Sequence, residues 1–188
     1  ARPAGQSKPI VCYGTSITHG GCASRPGMAY PAILGRRLGH PVINLGFSGN
    51  GKMEPELGVL LAELDAGVYV LDCVPNMNAD LVMERVVPFV TALRAAKPDT
   101  PIVLVENIQY QAGAFLPDKR EAYESKNKAL RACYENLQAE QVPGLHYVPA
   151  DALLGTDGEA TVDGTHPTDL GFMRMADALE PVLREALK

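Results

Sequence analysis

At 188 residues the chain fits one domain and is long enough to bury a substantial core. Its 46 % hydrophobic and 21 % charged residues are those of an ordinary globular protein. A net charge of −5 argues against a nucleic-acid or anionic-membrane surface, and no apolar run approaches the ~20 residues that span a bilayer.

Residues 1–8 read as a polar, proline-containing lead-in to a single domain within 1–188. The chain opens at Ala1 without a methionine, which suggests a trimmed or processed start and favours a secreted or periplasmic protein over a cytoplasmic one. Ile10 to Tyr13 is the first expected strand, followed by the hydroxyl-rich loop Gly14-Thr15-Ser16-Ile17-Thr18. Tyr30 to Leu38 reads as a short helix closed by Gly39, and Pro41 to Leu45 as a second strand running into Gly46-Phe47-Ser48-Gly49-Asn50-Gly51. A helix from Pro55 to about Leu64 takes proline in its first turn, and Val68 to Cys73 is a third strand. Asn78 to Ala96 carries Leu81, Val82, Val86, Val90 and Leu93 at helical spacing and stops before Pro98. Ile102 to Val105, a loop over Ile108 to Pro117, a helix from Asp118 to Ala139 and a strand from Leu145 to Val148 follow. Ala150 to His166 is glycine- and aspartate-rich loop, and Thr168 caps a last helix to Leu187.

Strands alternate with helices, and the strands are continuous apolar runs. That pattern calls for a parallel sheet covered on both faces. The expectation is a three-layer α/β/α sandwich around a five-stranded parallel sheet with the flavodoxin-like strand order 2-1-3-4-5. Cys12, Cys22, Cys73 and Cys133 form neither a disulfide framework nor a zinc pattern, and Cys12 and Cys73 read as buried strand thiols.

In such a sheet the loops after the strands meet at one rim, where ligands bind. They bring Ser16, Gly46, Asn76 and the pair Asp163–His166 towards one crevice. A serine hydroxyl is a poor nucleophile until a base takes its proton, and a histidine held in one tautomer by a carboxylate is the usual base. Asp163 and His166, three residues apart, can make that pair locally. An acyl oxygen that becomes an anion needs fixed donors, here the N–H groups of Ser16 and Gly46 and the Asn76 amide. Each of these residues taken alone would serve equally well as a turn or loop residue. His19, Glu106, Tyr110 and Phe115, with Leu116, are the candidates for touching substrate, while His40 and His146 read as structural. No metal or organic cofactor is called for.

In order and spacing these groups resemble the SGNH (GDSL-type) hydrolases, a family named for Ser, Gly, Asn and His in successive blocks. The matching residues are Ser16 in Gly14-Thr15-Ser16, Gly46 in Asn44-Leu45-Gly46, Asn76 in Val74-Pro75-Asn76-Met77, and Asp163 with His166 in Asp163-Gly164-Thr165-His166-Pro167. Thr15 stands where the family has aspartate, and Val74-Pro75-Asn76-Met77 replaces Gly-x-Asn-Asp. The resemblance implies ester hydrolysis through a Ser-His-Asp triad. The expected substrate is a short-acyl ester, acetyl first, of a carbohydrate or other small alcohol. Lysophospholipase or thioesterase activity is the alternative within the family.

Two readings of another kind compete. Gly46 to Lys52 matches the phosphate-loop pattern GxxxxGK, with Asp72 after an apolar strand as a magnesium-side aspartate. Met53, however, cannot supply the magnesium hydroxyl, and Pro55 delays the helix. An FMN- or phosphate-binding flavodoxin-like module would use the Thr15-Ser16-Ile17-Thr18 hydroxyls but leaves Asp163 and His166 without a task. No G-x-S-x-G elbow occurs.

Overall fold

A computed structural model describes residues 7–188, so most of the expected lead-in lies outside the described residues. All five expected strands form: β1 (Ile10–Gly14), β2 (Val42–Gly46), β3 (Val68–Asp72), β4 (Ile102–Val105) and β5 (Leu145–Val148). They run parallel in the order β2-β1-β3-β4-β5. The central strands β1, β3 and β4 are buried throughout, which is why they are written as unbroken apolar runs. The edge strands β2 and β5 are only partly covered.

Side chains alternate between two cores, as the period of two in a strand requires. Val11, Tyr13, Tyr69 and Leu71 face one layer, built by α3 (Pro55–Ala62), α4 (Ala79–Ala96) and α5 (Pro117–Ala139), and pack there with Phe89, Leu93 and Leu130. Ile10, Cys12, Val68 and Val70 face the other, built by α2 (Tyr30–Leu38) and α6 (Asp169–Ala186), and pack with Leu34, Phe172, Met175 and Leu179. Among the described residues no helix is long and apolar enough to cross a membrane.

One segment departs from its expected form. The hydroxyl-rich loop after β1 is a one-turn helix, α1 (Ser16–His19). Thr15 Oγ1 accepts the N–H of Ile17 at 3.2 Å, and Thr18 Oγ1 accepts that of Thr15 at 3.2 Å, a reciprocal capping box. Gly20, with φ of 92°, ends the turn.

Candidate active site

Gly14 and Gly46 pair across β1 and β2 at the sheet's carboxyl edge, with Asp72 on the other side of Gly14. Just beyond that edge Ser16 opens α1, half-buried, with its N–H bonded to no acceptor among the described residues. The close fit beneath it requires a glycine: a Cβ on residue 14 would lie 2.0 Å from Thr18 Oγ1. Thr15 supplies the acceptor that an N-cap needs, a task that aspartate and threonine share.

The last loop brings the other half of the site. Asp163 Oδ1 accepts the N–H groups of Thr165 (2.9 Å) and His166 (2.7 Å), folding the segment into a tight turn. Gly164 takes φ of 84°, which favours glycine. The His166 carbonyl accepts the Val162 N–H at 2.8 Å, and Thr168 caps α6 through the Gly171 N–H at 3.1 Å. His166 is thereby held between a turn and a helix start.

His166 Nδ1 lies 2.7 Å from Asp163 Oδ2, and its Nε2 lies 3.0 Å from Ser16 Oγ, across 150 residues of sequence. The carboxylate places the ring proton on Nδ1 and leaves Nε2 free to accept from the serine hydroxyl. Partial burial alone would raise the Asp163 carboxyl. The N–H groups of His166 and Thr165 and the His166 ring outweigh it and hold the group down at about 2. Asp163 is therefore a fixed negative charge beside the ring at every ordinary pH.

The structure revises two of the sequence expectations. Gly46 does lie beside α1, but its N–H donates to Asn44 Oδ1 at 3.0 Å. A Cβ there would lie 2.2 Å from the His19 nitrogen, so packing against α1 explains the glycine. In the loop after β2 the N–H groups of Phe47, Asn50 and Gly51 are also taken, whereas that of Gly49 has no acceptor among the described residues. Gly49 sits at φ of 75° and is open to solvent. The second revision concerns Glu106. It is 5 % exposed, and its carboxylate accepts from Arg131 Nη2, the Tyr147 hydroxyl and the Ala150 N–H. It ties the loop after β5 to β4, with three of its four acceptor positions taken by the protein.

Asn76 ends a 3₁₀ turn (Val74–Asn76), and its amide donates one hydrogen to the Phe47 carbonyl at 3.2 Å, keeping the second. It is thus joined to the loop that carries Gly49. His19 is exposed, with Nδ1 3.1 Å from the Gly46 carbonyl. Tyr110 is half-buried and donates to Asn107 Oδ1, and Phe115 is 87 % exposed beside it in the loop after β4. The Ala112 N–H donates to the Gly164 carbonyl, which brings that loop against the Asp163–His166 turn. Lys126, absent from the sequence reading, reaches the Pro75 carbonyl at 3.2 Å and the Tyr110 hydroxyl at 3.4 Å, linking the Asn76 turn to the same loop.

The rival sites fare poorly. Thr15 and Thr18 are wholly buried and their hydroxyls serve α1, so the phosphate-binding reading keeps only Ser16. The GxxxxGK segment does not lead into a helix at Lys52. Met53 sits at φ of 53° and α3 begins at Pro55. Among the described residues no three His, Cys, Asp or Glu side chains come together to hold a metal ion, and all four cysteines are unpaired.

The GDSL-like lipase/acylhydrolase family matches residues 7–184. Among solved structures, a GDSL-like lipase of Bacteroides ovatus is similar at a TM-score of 0.93 and 46 % identity, over 96 % of this chain and 54 % of that one. The salicylyl-acyltransferase SsfX3 of a tetracycline biosynthetic pathway is similar at a TM-score of 0.82 and 21 % identity, over 97 % of this chain and 56 % of that one. A family two carbohydrate esterase of Clostridium thermocellum, solved in complex with cellohexaose, is similar at 0.75 and 15 % identity, over 100 % of this chain and 66 % of that one. At such identities the last two show the fold alone. A comparison with curated proteins finds no match.

Proposed function

The chain belongs to the GDSL-like lipase/acylhydrolase family, and from that premise we propose that it is a serine esterase that removes a short acyl group, acetyl first, from a carbohydrate or other small alcohol. The observation that carries this reading is the continuous contact from Ser16 Oγ through His166 to Asp163, at 3.0 and 2.7 Å. His166 takes the Ser16 proton as Oγ bonds to the ester carbonyl carbon. The oxyanion is met by the N–H groups of Ser16 and Gly49 and the second Asn76 amide hydrogen. His166 then gives its proton to the departing alkoxide, leaving an acyl-Ser16. A water molecule, deprotonated by the same ring, attacks that acyl group and frees Ser16 and the carboxylic acid. Asp163 stabilises the imidazolium in both halves.

The short acyl class is supported by the loop after β4. It is a brief 3₁₀ turn (Gln111–Ala114) whose Phe115 points into solvent and does not roof Ser16 with an apolar wall. The carbohydrate class is supported by the fold shared with a carbohydrate esterase. Hydrolysis of p-nitrophenyl acetate against longer-chain esters tests the reading, with Ser16→Ala as control. Fast turnover of acetate, lost in the variant, is the expected result. Turnover that rises with chain length would replace it by the lysophospholipase or thioesterase reading. Equal rates in both proteins would remove Ser16 as the nucleophile.

A further inference from the structure

Beneath the nucleophile lies a carboxyl group that the reaction above does not use. Asp72 ends β3 beside Gly14 and is 1 % exposed. Its Oδ2 accepts the Thr18 hydroxyl at 2.9 Å and the Tyr30 hydroxyl at 2.9 Å, and both donor residues are wholly buried. Among the described residues no cation pairs with it. A carboxylate buried among hydroxyls is poor material for stability, since an apolar group of the same shape would pack without the desolvation. Burial pushes the Asp72 carboxyl up to about 7 even though the Thr18 and Tyr30 hydroxyls pull it down. The titratable groups that face it are Cys12 on β1, Tyr30 on α2, Cys73 next along the chain and Tyr110 after β4, all acids.

The hydrogen-bond directions show what the carboxylate does. Thr18 has one hydroxyl hydrogen. Giving it to Asp72 turns the oxygen's lone pairs to the Thr15 N–H, the bond that closes the capping box around Ser16. Tyr30, 3.3 Å from the same Thr18 oxygen, donates to Asp72 as well, so the two hydroxyls are ordered by one acceptor. There is little slack, because a Cβ on Gly14 would meet both the Thr18 hydroxyl and the Asp72 carbonyl.

We propose that Asp72 is a positioning residue: through Thr18, and with Tyr30, it fixes the rotation of α1 and so the placement of Ser16 Oγ and its N–H against His166. The inference rests on Ser16 being the nucleophile. Its test compares wild type with Thr18→Val, Thr18→Ser, Asp72→Leu and Ser16→Ala, each checked for folding by circular dichroism. The readouts are kcat and KM on p-nitrophenyl acetate and the rate at which a fluorophosphonate labels Ser16. Thr18→Val keeps the shape and loses the hydroxyl. It should lower kcat and labelling about 10- to 100-fold with KM changed less than about threefold, as small misplacements of reacting groups do. Thr18→Ser restores the hydroxyl and should recover kcat to within about threefold of wild type on the same principle. Asp72→Leu keeps the branched shape, removes the acceptor of both hydroxyls and should resemble Thr18→Val. If Asp72→Leu does not fold, the threonine pair decides. Wild-type kcat in folded Thr18→Val or Asp72→Leu, or a Thr18→Ser as slow as Thr18→Val, overturns the proposal while a dead Ser16→Ala leaves the nucleophile standing. Turnover retained in Ser16→Ala overturns the nucleophile assignment and this inference with it.

Discussion

Asp163 does two jobs with its two oxygens. Oδ1 folds the turn by accepting two backbone N–H groups, and Oδ2 orients the His166 ring. Asp163→Asn should keep the turn, because an amide oxygen can accept the same N–H groups. It then presents N–H₂ to Nδ1 and favours the wrong tautomer. The expected loss in kcat/KM is ~10²–10⁴-fold with KM little changed. A variant within threefold of wild type would reduce Asp163 to a turn residue. Because the carboxyl is held down at about 2, it stays charged when the medium is moderately acid. A fall in kcat/KM in that range therefore does not come from loss of the Asp163 charge.

At the scale of elements, function depends on how short segments are ended and tied. The Asp163–His166 turn abuts the loop after β4 through Gly164, where a Cβ would come within 2.8 Å of Ala112 Cβ. Gly164→Ala meets both that contact and an unfavourable positive φ. A destabilisation of ~1–2 kcal/mol is expected, with a larger relative loss in kcat than in folded fraction. Thermal unfolding and turnover on the same sample measure the two together. Thr168→Ala removes the cap of α6, and ~1 kcal/mol should be lost. Asn44 plays a comparable part at the other edge. Its amide donates to the Thr18 carbonyl at 2.8 Å and its oxygen accepts the Gly46 N–H, bracing α1 against β2.

Over the whole molecule, two carboxyls, Asp163 exposed and Asp72 buried, act on stability in opposite directions. Asp163 has a lowered folded-state value, so its contribution is present above the unfolded value of ~4 and is lost as pH falls towards about 2. Asp72 has a raised value, so the folded state binds the extra proton between about 4 and about 7. Stability should fall as pH rises through that window, by at most about 1.4 kcal/mol per pH unit from this group. Urea midpoints at pH 5, 6, 7 and 8 should decline in wild type and flatten in Asp72→Asn. An unchanged slope in the variant would assign the effect to another group. Phe172→Ala, deep in the core between the sheet and α6, should cost ~3–5 kcal/mol without selective loss of kcat.

The strand order and the layers follow from features that are local in the chain. Continuous apolar runs such as Val68 to Leu71 can only be central strands of a doubly covered sheet, and the intervening helices carry their own period and stops. Ser16 and the Asp163–His166 pair were legible for the same reason, since the first follows β1 directly and the second is a four-residue segment just before α6. What the chain alone could not decide was which polar groups still have hydrogen-bonding capacity. Glu106 looks available as a letter, yet Arg131 and Tyr147 reach it from other elements, and Gly46 gives its N–H to Asn44 in its own strand. Asp72 looks like a metal-side aspartate until Thr18 and Tyr30 close over it. Hydrogen-bond partners separated by tens of residues leave no periodic trace in a sequence, whereas burial of apolar faces does. The fold is therefore written along the chain, and the division between working and bracing polar groups is made only when the elements meet.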